Sequence, residues 1–254
     1  MAVLTEKQIK YGFDYYHKDD ARPKSVVEVS EYDGEDKLII NCTQLEESYS
    51  AKAKKRIWME WCDFLVNNPD TFTELMFCTR MSQDLFDAVC AQRRLKRLHI
   101  KWGVYPDISK IANLTNLEYL HLGSGASVES IEPIAKLKNL VALSIENFQK
   151  INDYSPLTNL KNLESLSIEG DCFAPKNIHV NSFDFLNDMR QLRYFNFLAG
   201  ILKSKDYTPV LSLENIEHLT LRPTKELKNL YNEIIKLPKL KYGLLVNKPE
   251  LYKI

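Results

Sequence analysis

No stretch of this chain approaches the ~20 consecutive apolar residues that a membrane-crossing helix needs. The opening Met-Ala-Val-Leu-Thr-Glu-Lys carries no apolar core of secretory-signal length. Both absences lead to the expectation of a cytoplasmic protein without a membrane partner. Net charge is lacking too: 34 Lys and Arg stand against 34 Asp and Glu, so no overall field draws the molecule to nucleic acid. Glycine is scarce, with 8 residues in 254. Gly123-Ser124-Gly125 lacks the third glycine of a dinucleotide loop, since Val128 stands there. The chain also has no Gly-x-x-x-x-Gly-Lys phosphate loop, no Gly-x-Ser-x-Gly elbow and no His-Glu-x-x-His helix. Its cysteines, Cys42, Cys62, Cys78, Cys90 and Cys172, are odd in number and form no Cys-x-x-Cys pair. Neither a disulfide framework nor a zinc site is indicated, and reduced thiols are expected. Neither a cofactor nor a metal is expected.

What the sequence does have is a repeat. A Leu-x-x-Leu-x-Leu frame recurs at Leu95-Leu98-Ile100, Leu117-Leu120-Leu122, Leu140-Leu143-Ile145, Leu163-Leu166-Ile168, Leu192-Phe195-Phe197 and Ile216-Leu219-Leu221. Weaker copies flank these at Phe72-Leu75-Phe77 and Leu240-Gly243-Leu245. Counted from Phe72, the intervals are 23, 22, 23, 23, 29, 24 and 24 residues. The segments before the frames repeat as well: Ile108-x-x-Ile111-x-x-Leu114-Thr-Asn, Ile131-x-x-Ile134-x-x-Leu137-Lys-Asn and Tyr154-x-x-Leu157-x-x-Leu160-Lys-Asn. In a short strand alternate side chains face opposite ways, so the last two frame residues point inward and the residue between them outward. One rung cannot bury its apolar edge alone. Stacked rungs form a parallel sheet over a continuous core, and the longer return segments curve the stack.

These residues resemble the leucine-rich-repeat family over about two thirds of the chain, closest to its SDS22-like or internalin-type repeats. The asparagine usual three residues beyond the last frame leucine is replaced by Gly125, Phe148 and Asp171. The resemblance implies an α/β solenoid, a right-handed horseshoe with a parallel concave sheet, that binds a protein on its concave strands.

Exposed apolar ends of such a stack need covers. Residues 1–70 are expected to form an α+β cap. Val26 to Val29 and Leu38 to Ile40 flank Asp33-Gly34 and read as a hairpin. An amphipathic helix follows with Ile57, Trp61, Phe64 and Leu65 on one face, stopped at Asn67-Asn68-Pro69. Residues 71–254 then make a solenoid of seven to eight rungs with its own C-terminal cap.

Aligned frames list the outward columns. Between the last two frame residues stand His99, His121, Ser144, Ser167, Asn196 and Thr220. Two positions earlier stand Arg97, Tyr119, Ala142, Ser165, Tyr194 and His218, with Tyr242 beyond. Just after the frame come Lys101, Gly123, Glu146, Glu169, Leu198 and Arg222. Tyr and Arg dominate binding energy at interfaces. The expected partner-binding set is therefore Arg97, His99, Lys101, Tyr119, His121, Glu146, Glu169, Tyr194, His218 and Arg222. Basic early rungs and acidic middle rungs favour a protein of matching charge over a phosphate backbone. The 29-residue interval marks an insertion at about 171–182, with Phe173 and His179 placed to clasp a partner from the rim.

A monomeric, non-enzymatic protein-binding module follows, of immunity, inhibitor or regulatory-scaffold type. Two alternatives stay open. One is an enzyme with a small site on the concave face or the insertion. The other is self-assembly through an edge strand around Leu244-Leu245-Val246.

Overall fold

The computed structural model describes residues 3–14, 21–171 and 176–253. Nine parallel strands form one sheet in chain order: β1 (Lys24–Val26), β2 (Lys37–Ile40), β3 (Glu74–Phe77), β5 (Arg97–Ile100), β7 (Tyr119–Leu122), β8 (Ala142–Glu146), β9 (Ser165–Glu169), β11 (Tyr194–Leu198) and β13 (His218–Leu221). Two strand pairs lie beside it: β4 (Met81–Ser82) with β6 (Gly103–Val104), and β10 (Ile178–Val180) with β12 (Gly200–Leu202). The register is that of the frames. Leu75, Leu98, Leu120, Leu143, Leu166, Phe195 and Leu219 pair across successive strands, and all are buried.

The chain returns on the convex side through short 3₁₀ turns at Ser109–Asn113, Ile134–Lys136, Ser155–Asn159, Asp184–Asp188 and Thr208–Ser212. Their apolar residues, Ile111, Ile134, Leu157, Leu186 and Val210, are fully buried in the core. An asparagine before four of the frames ties one return to the previous one: Asn116 donates to the Arg93 carbonyl, Asn139 to Thr115 and Asn162 to Lys138, each at 2.8 Å, and Asn215 to Arg190 at 2.9 Å. Gln191 substitutes in the rung after the insertion, reaching the Leu160 carbonyl at 3.0 Å. This ladder stabilises the stack where the usual asparagine is missing. Replacing Asn139 by Ala should cost about 1 kcal/mol in urea unfolding, the net worth of one such bond.

Close packing also explains one glycine. A Cβ on Gly123 would stand 1.9 Å from the Lys101 carbonyl oxygen, so any side chain there would force neighbouring strands apart.

Helix α2 (Ala51–Asn67) has Ser50 as N-cap and buries Ile57, Trp61 and Leu65. It packs on α3 (Gln83–Val89) and covers the first rungs. The fully buried Gln92 side chain donates to the Leu65 and Asn68 carbonyls at 2.6 and 2.9 Å and accepts from the Phe72 amide at 3.2 Å. Gln92→Leu leaves those three backbone groups without this partner. It should lower stability by about 2–3 kcal/mol, readable as a fall in the urea midpoint at unchanged m-value.

Three expectations are corrected. The pair expected as a hairpin is parallel: β1 and β2 are joined through a 3₁₀ turn at Val29–Glu31 and belong to the same sheet as the repeats. Trp61 donates its indole N–H to the Val27 carbonyl at 2.8 Å, holding that return over the core as the later returns are held. The expected terminal strand is a single helical turn, Leu244–Asn247, after Gly243 at φ +102. Among the described residues beyond β13, only Tyr242 extends the sheet, by a single bridge to His218. Finally, residues 3–14 are not part of a cap over the end of the stack; they lie on the concave face, as described next.

Candidate functional site

The start of the chain forms α1 (Glu6–Tyr11). Thr5 and Gln8 make a capping box, and the helix ends at Gly12, whose φ of +93 turns the chain away. Leu4, Ile9 and Phe13 are buried and cluster with Val141 and Ala142, with Tyr119 and Tyr242 packed against them, separately from the main core.

Polar contacts surround this apolar seat on every side. At the strands' N-terminal edge, Arg193 bridges Glu164 at 2.9 Å and Glu217 at 2.7 Å. Glu164 accepts from the Leu4 amide at 3.3 Å, and Arg193 donates to the Leu4 carbonyl at 3.4 Å. Beyond the last strand, the Tyr242 hydroxyl donates to Glu6 at 2.5 Å. Towards the first rungs, Arg97 donates to the Phe13 carbonyl at 2.6 Å while its guanidinium lies 4.9 Å over the Tyr119 ring. The Phe13 and Tyr119 rings are 6.0 Å apart.

Asp14 reaches the middle of the sheet, with Oδ2 3.2 Å from His121 Nδ1 and 3.4 Å from Ser144 Oγ. Burial alone would raise its carboxyl, but the hydrogen bond to His121 and the charges of His121 and His99 outweigh it and hold Asp14 below the usual carboxylate range. His99 stacks on His121 at 4.2 Å between centroids. Burial, reinforced by His121, pushes His99 down to about 3. His218 packs 4.3 Å from the Tyr194 ring and meets Thr220 Oγ1 at 3.0 Å. Burial pushes it down to about 4, although the backbone at Ile9 and Lys10 favours its charged form.

The outward columns expected to be open are therefore largely covered. Ala142, Ser144, Tyr194 and His218 are buried, and so are Ser165, Ser167 and Asn196. Tyr119 and His99 keep partial exposure, while Lys101 and Arg222 remain exposed at the strands' C-terminal ends. Glu146 and Glu169 are register neighbours. Glu169 accepts from Ser167 at 2.7 Å and Asn196 at 2.6 Å, and burial raises its carboxyl despite those bonds. His179 is exposed on β10, outside the main sheet. Phe173 lies outside the described residues.

Sequence reasoning missed Leu4, Ile9, Phe13 and Asp14. Thr5-x-x-Gln8 before Ile9 with Gly12 beyond does signal a short helix, though not where it docks. The cluster is not arranged as a nucleophile relay. A nucleophile relay needs serine and carboxylate on opposite ring nitrogens, whereas Ser144 and Asp14 both meet His121 Nδ1. Among the described residues no group of three His, Cys, Asp or Glu side chains is arranged to hold a metal ion, and no helix is long and apolar enough to cross a membrane.

Parallel rungs of strand, turn and 3₁₀ return, spaced as the frames are, define a leucine-rich-repeat solenoid. A solved structure shares the fold. An internalin (inlF) from Listeria monocytogenes matches with a TM-score of 0.50 at 22% identity, over 68% of this chain and 54% of its own. Internalin C2 from the same organism matches with 0.49 at 20% identity, over 70% and 71%. The chain thus spans about half the length of the first of these. No protein-family model and no curated protein matches the sequence.

Proposed function

We propose that this chain is a non-enzymatic protein-binding module of immunity, inhibitor or regulatory type, which receives a segment of another protein on the concave sheet. The observation that carries this reading is the seating of residues 3–14: a helical segment lies on that face through both an apolar cluster and matched polar contacts. Recognition surfaces combine an apolar centre with a polar rim in this way. Tyr119, Arg97, His121, Tyr194 and His218 form the centre of the proposed interface. Lys101, Glu146, Glu169 and Arg222 flank it along the strands' C-terminal side, and His179 with Phe173 would reach it only from the rim. The partner is a protein of unassigned identity; nucleic acid, membrane and cofactor have no part in the proposal.

A photo-crosslinking residue at Lys101, on the concave side, should give an adduct with the partner in native lysate. The same residue at Lys136, on a convex return, should give none. The Tyr119→Ala/Tyr194→Ala double variant should lower capture at least about 30-fold, the loss expected of two central aromatic anchors. Adducts at Lys136 alone, or undiminished capture by the double variant, would move the interface off this face.

A further inference from the structure

We infer that residues 3–14 are a built-in stand-in for the partner's segment. The partner presents a short amphipathic helix that ends in an aromatic residue followed by a carboxylate, and it binds by exchanging with this segment. The inference rests on the concave-face reading above and names the ligand chemistry of that surface.

Four features of the seat define that chemistry. Val141 and Ala142, small side chains at the centre of the sheet, leave room for an aliphatic side chain from the helix, the place Ile9 takes. Tyr119 with Arg97 over its ring makes an aromatic and cationic wall, where Phe13 packs and where Arg97 holds the carbonyl of the same residue. His121 and Ser144 together receive one carboxylate oxygen, that of Asp14. The backbone at Leu4 is received by Glu164 as acceptor and Arg193 as donor, a pair indifferent to the side chain it holds. Read along the occupant, the pattern is aliphatic, four residues, aliphatic, three residues, aromatic, carboxylate. A capping box and a glycine end the helix on either side.

The occupant is also separable from the scaffold. Its apolar side chains form their own cluster, apart from the continuous solenoid core, so the segment can leave while the rungs stay packed. A ligand in the same protein is favoured by its high effective concentration, so an external segment of equal chemistry is excluded until the internal one is weakened or outcompeted.

The test uses the full-length chain with Ile9→Asp and Phe13→Ser together, and as probe a fluorescein-labelled peptide of residues 3–14 with the natural sequence. Fluorescence anisotropy should show the double variant binding the peptide at least 30-fold more tightly than the wild-type chain. Asp14→Ala within the peptide, or His121→Ala added to the double variant, should weaken that binding at least 10-fold. Circular dichroism of every variant serves as the folding control. A folded double variant that binds the peptide no better than wild type overturns the inference. So does a partner captured at Lys101 in wild type that the unlabelled peptide fails to displace from the double variant; the concave-face reading would then survive and the helix-mimic chemistry would not. A wild-type dimer in sedimentation that dissociates with Ile9→Asp would also overturn it, in favour of segment exchange between two copies.

Discussion

Ile9→Asp is expected to lift residues 3–14 off the sheet and leave the solenoid folded. Ile9 is fully buried against the concave strands. An aspartate there loses the aliphatic contact and places a carboxylate in an apolar seat, a change worth about 3 kcal/mol or more. At about 1.4 kcal/mol per decade this shifts the closed–open balance of the segment by about 150-fold. Hydrogen exchange reads it directly. The Ile9 and Gly12 amides, bonded to the Thr5 and Gln8 carbonyls at 3.0 and 2.9 Å, should exchange about 100-fold faster. The amides of Leu98 and Leu143, inside the sheet, should keep their wild-type protection. Equal acceleration in both places would mean that the segment and the solenoid are one cooperative unit.

Acid should act in the same direction. His99 and His218 titrate in this structure at about 3 and about 4, below the unperturbed 6.5. Opened or unfolded chains therefore bind protons that the closed form does not. Stability is full above pH 6.5, falls as pH drops below it, and stops falling only as each histidine passes its own lower value. Each contributes up to about 1.4 kcal/mol per pH unit, so the two together reach about 2.7. The groups facing His99 are His121, Asp14, Arg97 and Lys101; around His218 stand Tyr194, Thr220 and the backbone of Ile9 and Lys10. Two carboxylates act in opposite senses. Glu169, raised by burial, gains on acidification. Asp14, held low, loses its contribution only as pH falls from about 3.8 towards its lower folded value. Between pH 6.5 and 4.5 the histidines dominate. Urea midpoints taken from pH 7 to 4.5 should fall for wild type and stay much flatter for His99→Gln/His218→Gln. Parallel profiles would show that neither histidine carries the acid sensitivity.

The rungs were legible because each frame residue has one place to go: Leu143 must point inward, Ser144 outward, and register follows from stacking like on like. The columns derived this way are the columns observed, with His99 beside His121 in register. The orientation of β1 and β2 was not legible. Asp33-Gly34 does turn, with Gly34 at φ +91. A turn signal does not say whether the following strand doubles back or passes through a return and runs parallel. Gly243 misled similarly: the apolar residues after it fit a strand or a helical turn equally well over four positions. The cover on the groove was the largest omission. Its helix is six residues long, its apolar residues would suit any core, and its docking depends on residues 84 to 236 positions away, a distance at which local patterns say nothing.

That distance has a consequence for how the molecule assembles. Solenoids fold through neighbour-to-neighbour contacts, rung upon rung, so the order in which repeats leave the ribosome can be the order in which they stack. The contact between Glu6 and Tyr242 spans 236 positions, and that between Leu4 and Arg193 spans 189. Residues 3–14 therefore complete their seat only after Tyr242 has been made, and such long-range closure is slow. A chain whose groove is not yet covered in this way would offer the partner proposed above a seat without a competitor.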